Sequence, residues 1–130
     1  MIVLDTHIWI ELVVRDFSSW SVSQRLVVSQ SDLWIVSPIS CWEIGMLVRR
    51  RRLQLNQAPT SWINDAFLSP KFRLEPITPN IAVAAGMYSS DNLHGDPADR
   101  LIISTAQALK CPLVTRDQKI INAQLTPTIA

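Results

Sequence analysis

The chain has 130 residues, 48% hydrophobic and 18% charged, which fits one domain over residues 1–130 with a core of its own and excludes a disordered chain. Twelve Lys and Arg against eleven Asp and Glu leave a net charge of +1. That balance excludes an overall basic coat for nucleic acid and permits only a local one.

In chain order, Ile2, Val3 and Leu4 predict a short buried strand that ends at Asp5. A helix is expected over residues 6–14. A second is expected over 18–29, with Val22, Leu26 and Ser29 on one side. Residues 33–36 predict the next strand. Ser37 and Pro38 then supply the N-cap and first position of a helix running to about Arg50. A short helix is expected over 60–68 and a weak strand over 74–77, where Pro76 argues for a sheet edge. Residues 80–88 read as helical.

Asp96 and Pro97 open the clearest helix, with Ala98, Leu101, Ile102, Thr105, Ala106 and Leu109 at the helical period. Cys111 and Pro112 stop it, and residues 113–115 give another buried strand, ending near Asp117. Apolar strands without alternation imply a sheet covered on both faces. Strand–helix alternation then predicts a three-layer α/β domain with a central parallel sheet of four to five strands flanked by helices.

Three glycines are too few for a glycine-rich phosphate loop. Cys41 and Cys111 lack metal-ligand spacing and read as buried thiols of a reducing compartment. The start has no basic n-region and no apolar run approaches the roughly 20 residues of a membrane span, so a cytoplasmic location and no membrane partner are expected.

Ligands of parallel sheets bind beyond the carboxyl ends of the strands. Asp5 and Asp117 follow strands, and Glu43 lies early in the helix after the 33–36 strand. Asp96 and Asp99 open the best helix. Glu43 falls on or beside the apolar face marked by Ile39, Trp42, Met46 and Leu47. A carboxylate there needs a compensating cation or donors, unless its head reaches water at the edge of the face. Asp96 and Asp99 also suit N-cap and N3 of their helix without any catalysis. Oxygen ligands clustered without Cys or His suit Mg²⁺ or Mn²⁺. His7 and His94 are not spaced as a pair and read as structural. The five tryptophans read as core or partner surface. Arg49, Arg50, Arg51 and Arg52 are either a solvated helix end or contacts to RNA phosphates.

Four blocks carry a family resemblance. Ile2-Val3-Leu4-Asp5-Thr6-His7, then Ser37-Pro38-Ile39-Ser40-Cys41-Trp42-Glu43-Ile44, then His94-Gly95-Asp96-Pro97-Ala98-Asp99-Arg100-Leu101, then Val114-Thr115-Arg116-Asp117 resemble, in order, the blocks of a PIN domain. The likeness is to the VapC-type ribonuclease toxins of bacterial toxin–antitoxin pairs. It implies a five-stranded parallel sheet and a divalent-metal-dependent endoribonuclease using Mg²⁺ or Mn²⁺, with an RNA substrate, a homodimer and a cognate antitoxin that blocks the site. It assigns the acidic quartet to Asp5, Glu43, Asp99 and Asp117, with Asp5 and Asp99 nearest the metal. Asp117 would bind directly or through water, and Glu43 would hold a second metal or orient a water. Thr6, Thr115 and Asp96 would support them, and Arg49, Arg50, Arg51, Arg52, Arg100 and Arg116 would guide RNA.

Departures from the family pattern are Leu47, where a basic residue is common, and Gly95, where a larger one is common. The short C-terminus leaves residues 126–129 to form any fifth strand. Two other classes fit parts of the chain. One is a phosphohydrolase or receiver domain with Asp5 as phosphate acceptor, although His7 stands where such hydrolases carry a second Asp. The other is a non-catalytic RNA- or protein-binding module.

Overall fold

Successive residues of a strand point to opposite faces. In a computed structural model of the chain, which describes residues 1–89, 93 and 95–130, this alternation divides the core in two. β1 (Ile2–Leu4) sends Ile2 and Leu4 into one cluster and Val3 into another. β2 (Trp34–Val36) divides Val36 from Ile35 in the same way. β4 (Leu113–Val114) divides Val114 from Leu113. With β3 (Phe72–Leu74) and β5 (Thr128–Ile129) these strands make a five-stranded sheet in the order β3-β2-β1-β4-β5. Every pairing is parallel.

The helices cover both faces, as expected for a sheet apolar on each side. On one face, α1 (Thr6–Val14), α2 (Val22–Gln30), α3 (Pro38–Arg49) and α4 (Pro59–Ala66) contribute Trp9, Val28, Ile44 and Trp62 to the first cluster. On the other, α6 (Pro97–Leu109) and α7 (Gln118–Ala123) contribute Ile102, Ile103 and Ile120 to the second. α5 (Pro79–Met87) packs against α6. Among the described residues no helix is long and apolar enough to cross a membrane.

The chain runs outward from β1 through β2 to β3, then returns to lay β4 and β5 on the other side of β1. The reversal between β1 and β4 is the switch point at which the ends of strands diverge and leave a crevice for ligands.

Three expectations need correction. The second helix begins at Val22 rather than residue 18, and its inner face is Gln24 and Val28. Val22 is 82% exposed and Leu26 is also exposed. The reason is polar. Ser21 and Gln24 close a capping box, and the Gln24 amide is drawn inward to two backbone carbonyls, which sets the rotation of the helix. The third strand lies at 72–74, not 74–77. Phe72 pairs with Trp34 in register and their rings pack at 5.0 Å, while Pro76, which has no N–H to donate, falls beyond the ladder. On α3 the buried residues are Ser40 and Ile44, and Trp42, expected on the apolar face, is 60% exposed. Small Ser40 lets α3 approach α1, where it meets Thr6.

Candidate functional site

Asp5 follows β1 directly and is the N-cap of α1, with φ −65° and ψ 156°. Its N–H donates to Val114 O at 3.0 Å, which ties it to the end of β4. Asp5 is 4% exposed, and its carboxylate is held at both oxygens. Oδ1 accepts the Thr6 N–H at 2.9 Å, and Oδ2 accepts the Thr115 hydroxyl at 2.6 Å. Thr115 Oγ1 in turn accepts the Asp117 N–H at 3.0 Å. Thr115 therefore bridges Asp5 and Asp117.

Thr6 makes the matching bridge on the other side. Its Oγ1 lies 2.5 Å from Glu43 Oε1 and 2.8 Å from Ser40 Oγ. A hydroxyl has one proton, so Thr6 donates to the carboxylate and Ser40 can donate to Thr6. Glu43 sits half-buried, and burial raises its pKa above the ordinary glutamate value. The Thr6 hydroxyl partly offsets this, and the charges of Asp5 and Asp96 add to it.

Asp96 N-caps α6, accepting the Ala98 N–H at 3.0 Å, and Asp99 stands in the first turn. Asp99 is 8% exposed. Burial first, then the charges of Asp96, Asp5, Asp117 and Glu43, push its pKa up to about 8. Asp117 N-caps α7, accepting the Lys119 N–H at 2.9 Å. The expected acids thus come together at the carboxyl edge of β1 and β4. Asp96, Asp99 and Asp117 also occupy the helix-start positions that capping chemistry favours. Among the described residues no three His, Cys, Asp or Glu side chains enclose an ion as they stand.

The basic residues divide. Arg49, Arg50, Arg51 and Arg52 are all exposed at the end of α3. Arg116 is engaged: its guanidinium donates to Glu11 at 2.5 and 2.6 Å. The Trp20 indole donates to the same carboxylate at 2.7 Å. Burial works to raise the Glu11 pKa, and Arg116 and Trp20 together bring it below the ordinary value. Arg100 donates to the carbonyls of Ala85 and Tyr88, each at 3.0 Å, and so fastens the end of α5. The sequence expectation that Arg100 and Arg116 face RNA meets side chains already committed within the fold.

His7, read as structural from the sequence, adjoins the site. Its Nε2 accepts the Arg116 N–H at 3.2 Å and its Nδ1 lies 3.5 Å from Asp5 Oδ2. His94 lies outside the described residues. Ser40, Glu11 and Gln24 were not singled out from sequence. Ser40 carries the one available signal, a small polar residue one turn before Glu43. A groove of about 690 Å³ lies elsewhere, walled by Leu12, Val13, Trp20, Val28, Trp34 and Phe72.

Residues 2–124 match the sequence profile of the PIN domain. The chain belongs to the PIN-domain family. This PIN domain is 34% identical over 100 residues to Ribonuclease VapC22 of Mycobacterium tuberculosis, covering 77% of this chain and 75% of that protein. Its fold is similar to a chain of VapBC2 from Rickettsia felis, with a TM-score of 0.69 at 21% identity, over 98% of this chain and 97% of the other. It is likewise similar to a chain of FitAcB from Neisseria gonorrhoeae, with a TM-score of 0.63 at 22% identity, over 100% and 97% of the two chains. The five strands expected from the PIN resemblance are present, the last formed by Thr128 and Ile129.

Proposed function

We propose that this PIN domain, as one nuclease unit over residues 1–130, is a divalent-metal-dependent endoribonuclease and the toxin of a toxin–antitoxin pair. The observation that carries the reading is the cluster of acids at the β1–β4 edge, where Asp99 is pushed to about 8 by burial and by four neighbouring carboxylates. Such a cluster is costly unless a cation compensates it. The 34% identity to a protein named a ribonuclease supports the substrate class.

The donor set, all oxygen, fits Mg²⁺ or Mn²⁺. Asp5, Asp99 and Asp117 would hold the ion, and Glu43 would hold a second ion or orient water. A cation held by these residues would supply activation of water for in-line attack and would offset charge on the scissile phosphate. Thr6 and Thr115 keep Glu43, Asp5 and Asp117 in register, and Asp96 fixes the start of α6 and adds negative charge. Arg49, Arg50, Arg51 and Arg52 guide the RNA backbone, and Arg100 and Arg116 brace the loops around the site.

A cognate antitoxin and a second copy of the chain are the protein partners in this reading. The structures similar to this fold include a toxin–antitoxin complex from Klebsiella pneumoniae, with a TM-score of 0.66. A cytoplasmic location goes with an RNA substrate and with Cys41 and Cys111 as free thiols.

The test is cleavage of structured RNA by the purified chain freed of antitoxin. Cutting with Mg²⁺ or Mn²⁺, arrest by EDTA and loss in Glu43→Gln are expected, with 5′-phosphate and 3′-hydroxyl products. Equal cutting with EDTA, or by the Glu43→Gln protein, would sink the reading.

A further inference from the structure

We propose that Gln24, on a helix outside every block of the family resemblance, is a positioning residue for the acidic site, acting through the peptide carbonyl of Thr115. The proposal rests on the metal-dependent ribonuclease reading above.

Gln24 is 0% exposed. Burying a side-chain amide is costly unless its oxygen and both its hydrogens find partners. Here all do. Oε1 accepts the Ser21 N–H at 3.1 Å, and Nε2 donates to Thr115 O at 3.2 Å and to Ile129 O at 3.3 Å. Thr115 lies one residue past β4, where the strand ladder stops, so the sheet itself does not hold its carbonyl. Gln24 does so from α2. The Thr115 N–H donates to Ile129 O at 3.2 Å. With both sides of its backbone fixed, Thr115 presents its hydroxyl to Asp5 Oδ2 at 2.6 Å and to the Asp117 N–H at 3.0 Å. The path from α2 to the Asp5 carboxylate and to the backbone of Asp117 is therefore one residue long.

The geometry is specific to glutamine. Asparagine is one methylene short, glutamate keeps the acceptor for Ser21 but has no hydrogen for the carbonyls, and methionine keeps only the bulk. A purely structural role would fasten β5 to α2 and leave metal binding untouched. A positioning role changes the affinity of the carboxylates for the cation. Removing a hydrogen-bond partner that supports a metal ligand commonly weakens metal binding about 10- to 100-fold.

The test uses the full chain freed of antitoxin, with Mg²⁺ binding read by calorimetry and cleavage read as kcat and KM for RNA. Gln24→Met and Gln24→Glu, each verified as folded by circular dichroism, are expected to bind Mg²⁺ about tenfold more weakly. KM for RNA at saturating Mg²⁺ should stay within about twofold. In a Thr115→Val background, Gln24→Met should cause no further drop in Mg²⁺ affinity, because the two act in series. Folded Gln24 variants with wild-type Mg²⁺ affinity, or effects that multiply in the double variant, would overturn the proposal. If neither variant folds, the wild-type protein decides. The Gln24 side-chain amide resonances must then move on Mg²⁺ titration together with Thr115, and their failure to move overturns the role. A wild-type chain that neither binds Mg²⁺ nor cuts RNA overturns the ribonuclease reading itself and this proposal with it, a result distinct from normal wild-type binding with unaffected variants.

Discussion

The Thr115 hydroxyl donates to Asp5 Oδ2 at 2.6 Å across 110 residues of sequence. It is a neutral donor to an almost fully buried carboxylate, and bonds to charged groups contribute about 1.5–3 kcal/mol. Thr115→Val is expected to lower stability by that order in a urea titration, whereas Thr115→Ser keeps the donor and most of the stability.

For Asp99, burial first and like charges second oppose ionisation in the metal-free protein. An unfolded aspartate ionises near 3.8 and the folded Asp99 near 8. Between those values the folded chain holds a proton that the unfolded chain has released. The stability contributed at this group is therefore full below the unfolded value and lost as pH rises toward 8. Asp99→Asn is expected to remove that slope, to leave metal-free stability at neutral pH unchanged or higher, and to abolish both cleavage and stabilisation by Mg²⁺. A denaturant series from about pH 5 to 9, with and without Mg²⁺, measures all of this. A less stable variant that still cuts RNA would reduce Asp99 to a helix-start residue favoured by the dipole.

The two kinds of arginine should respond differently. Replacing Arg49 and Arg50 with Gln is expected to flatten the salt dependence of RNA binding, by about 0.7 in the log–log slope for each single-strand phosphate no longer neutralised. Stability should hardly change. Arg116→Gln should leave that slope alone and destabilise the fold, since it removes the charged partner of the Glu11 carboxylate and leaves it the Trp20 indole N–H. Binding isotherms at several salt concentrations and thermal melts of each variant separate the two groups.

Arg51 has φ 59° just beyond α3. The bonds Arg52 N–H to Leu47 O at 2.9 Å and Arg51 N–H to Val48 O at 3.1 Å complete a Schellman end, in which that residue is usually glycine. A side chain there costs about 1 kcal/mol. Arg51→Gly is thus expected to raise the melting temperature by a few degrees, with weaker RNA binding only if Arg51 touches phosphate.

Much of this architecture is legible in the sequence, because it follows local rules. Ser37 with Pro38 and Asp96 with Pro97 open helices by capping chemistry, and the apolar triplet at Ile2 can only be a buried strand. The acids after strands were legible for the same reason. What escaped depends on partners distant in sequence. Gln24 turns inward because carbonyls at Thr115 and Ile129 await it, so the periodicity of Val22 and Leu26 pointed the wrong way. Arg116 is held by Glu11, more than a hundred residues earlier, and no local pattern marks such a pair.

The position of β1 at the centre of the sheet, with β4 beside it, also bears on when the protein becomes dangerous during synthesis. Asp5 leaves the ribosome almost at once, while the hydroxyl that orients it is translated some 110 residues later. Domains fold as their segments emerge, yet no early segment of this chain contains a closed site. A nascent or truncated chain ending before β4 lacks Thr115 and Asp117 together. A complete set of site residues must wait until β4 can be laid against β1.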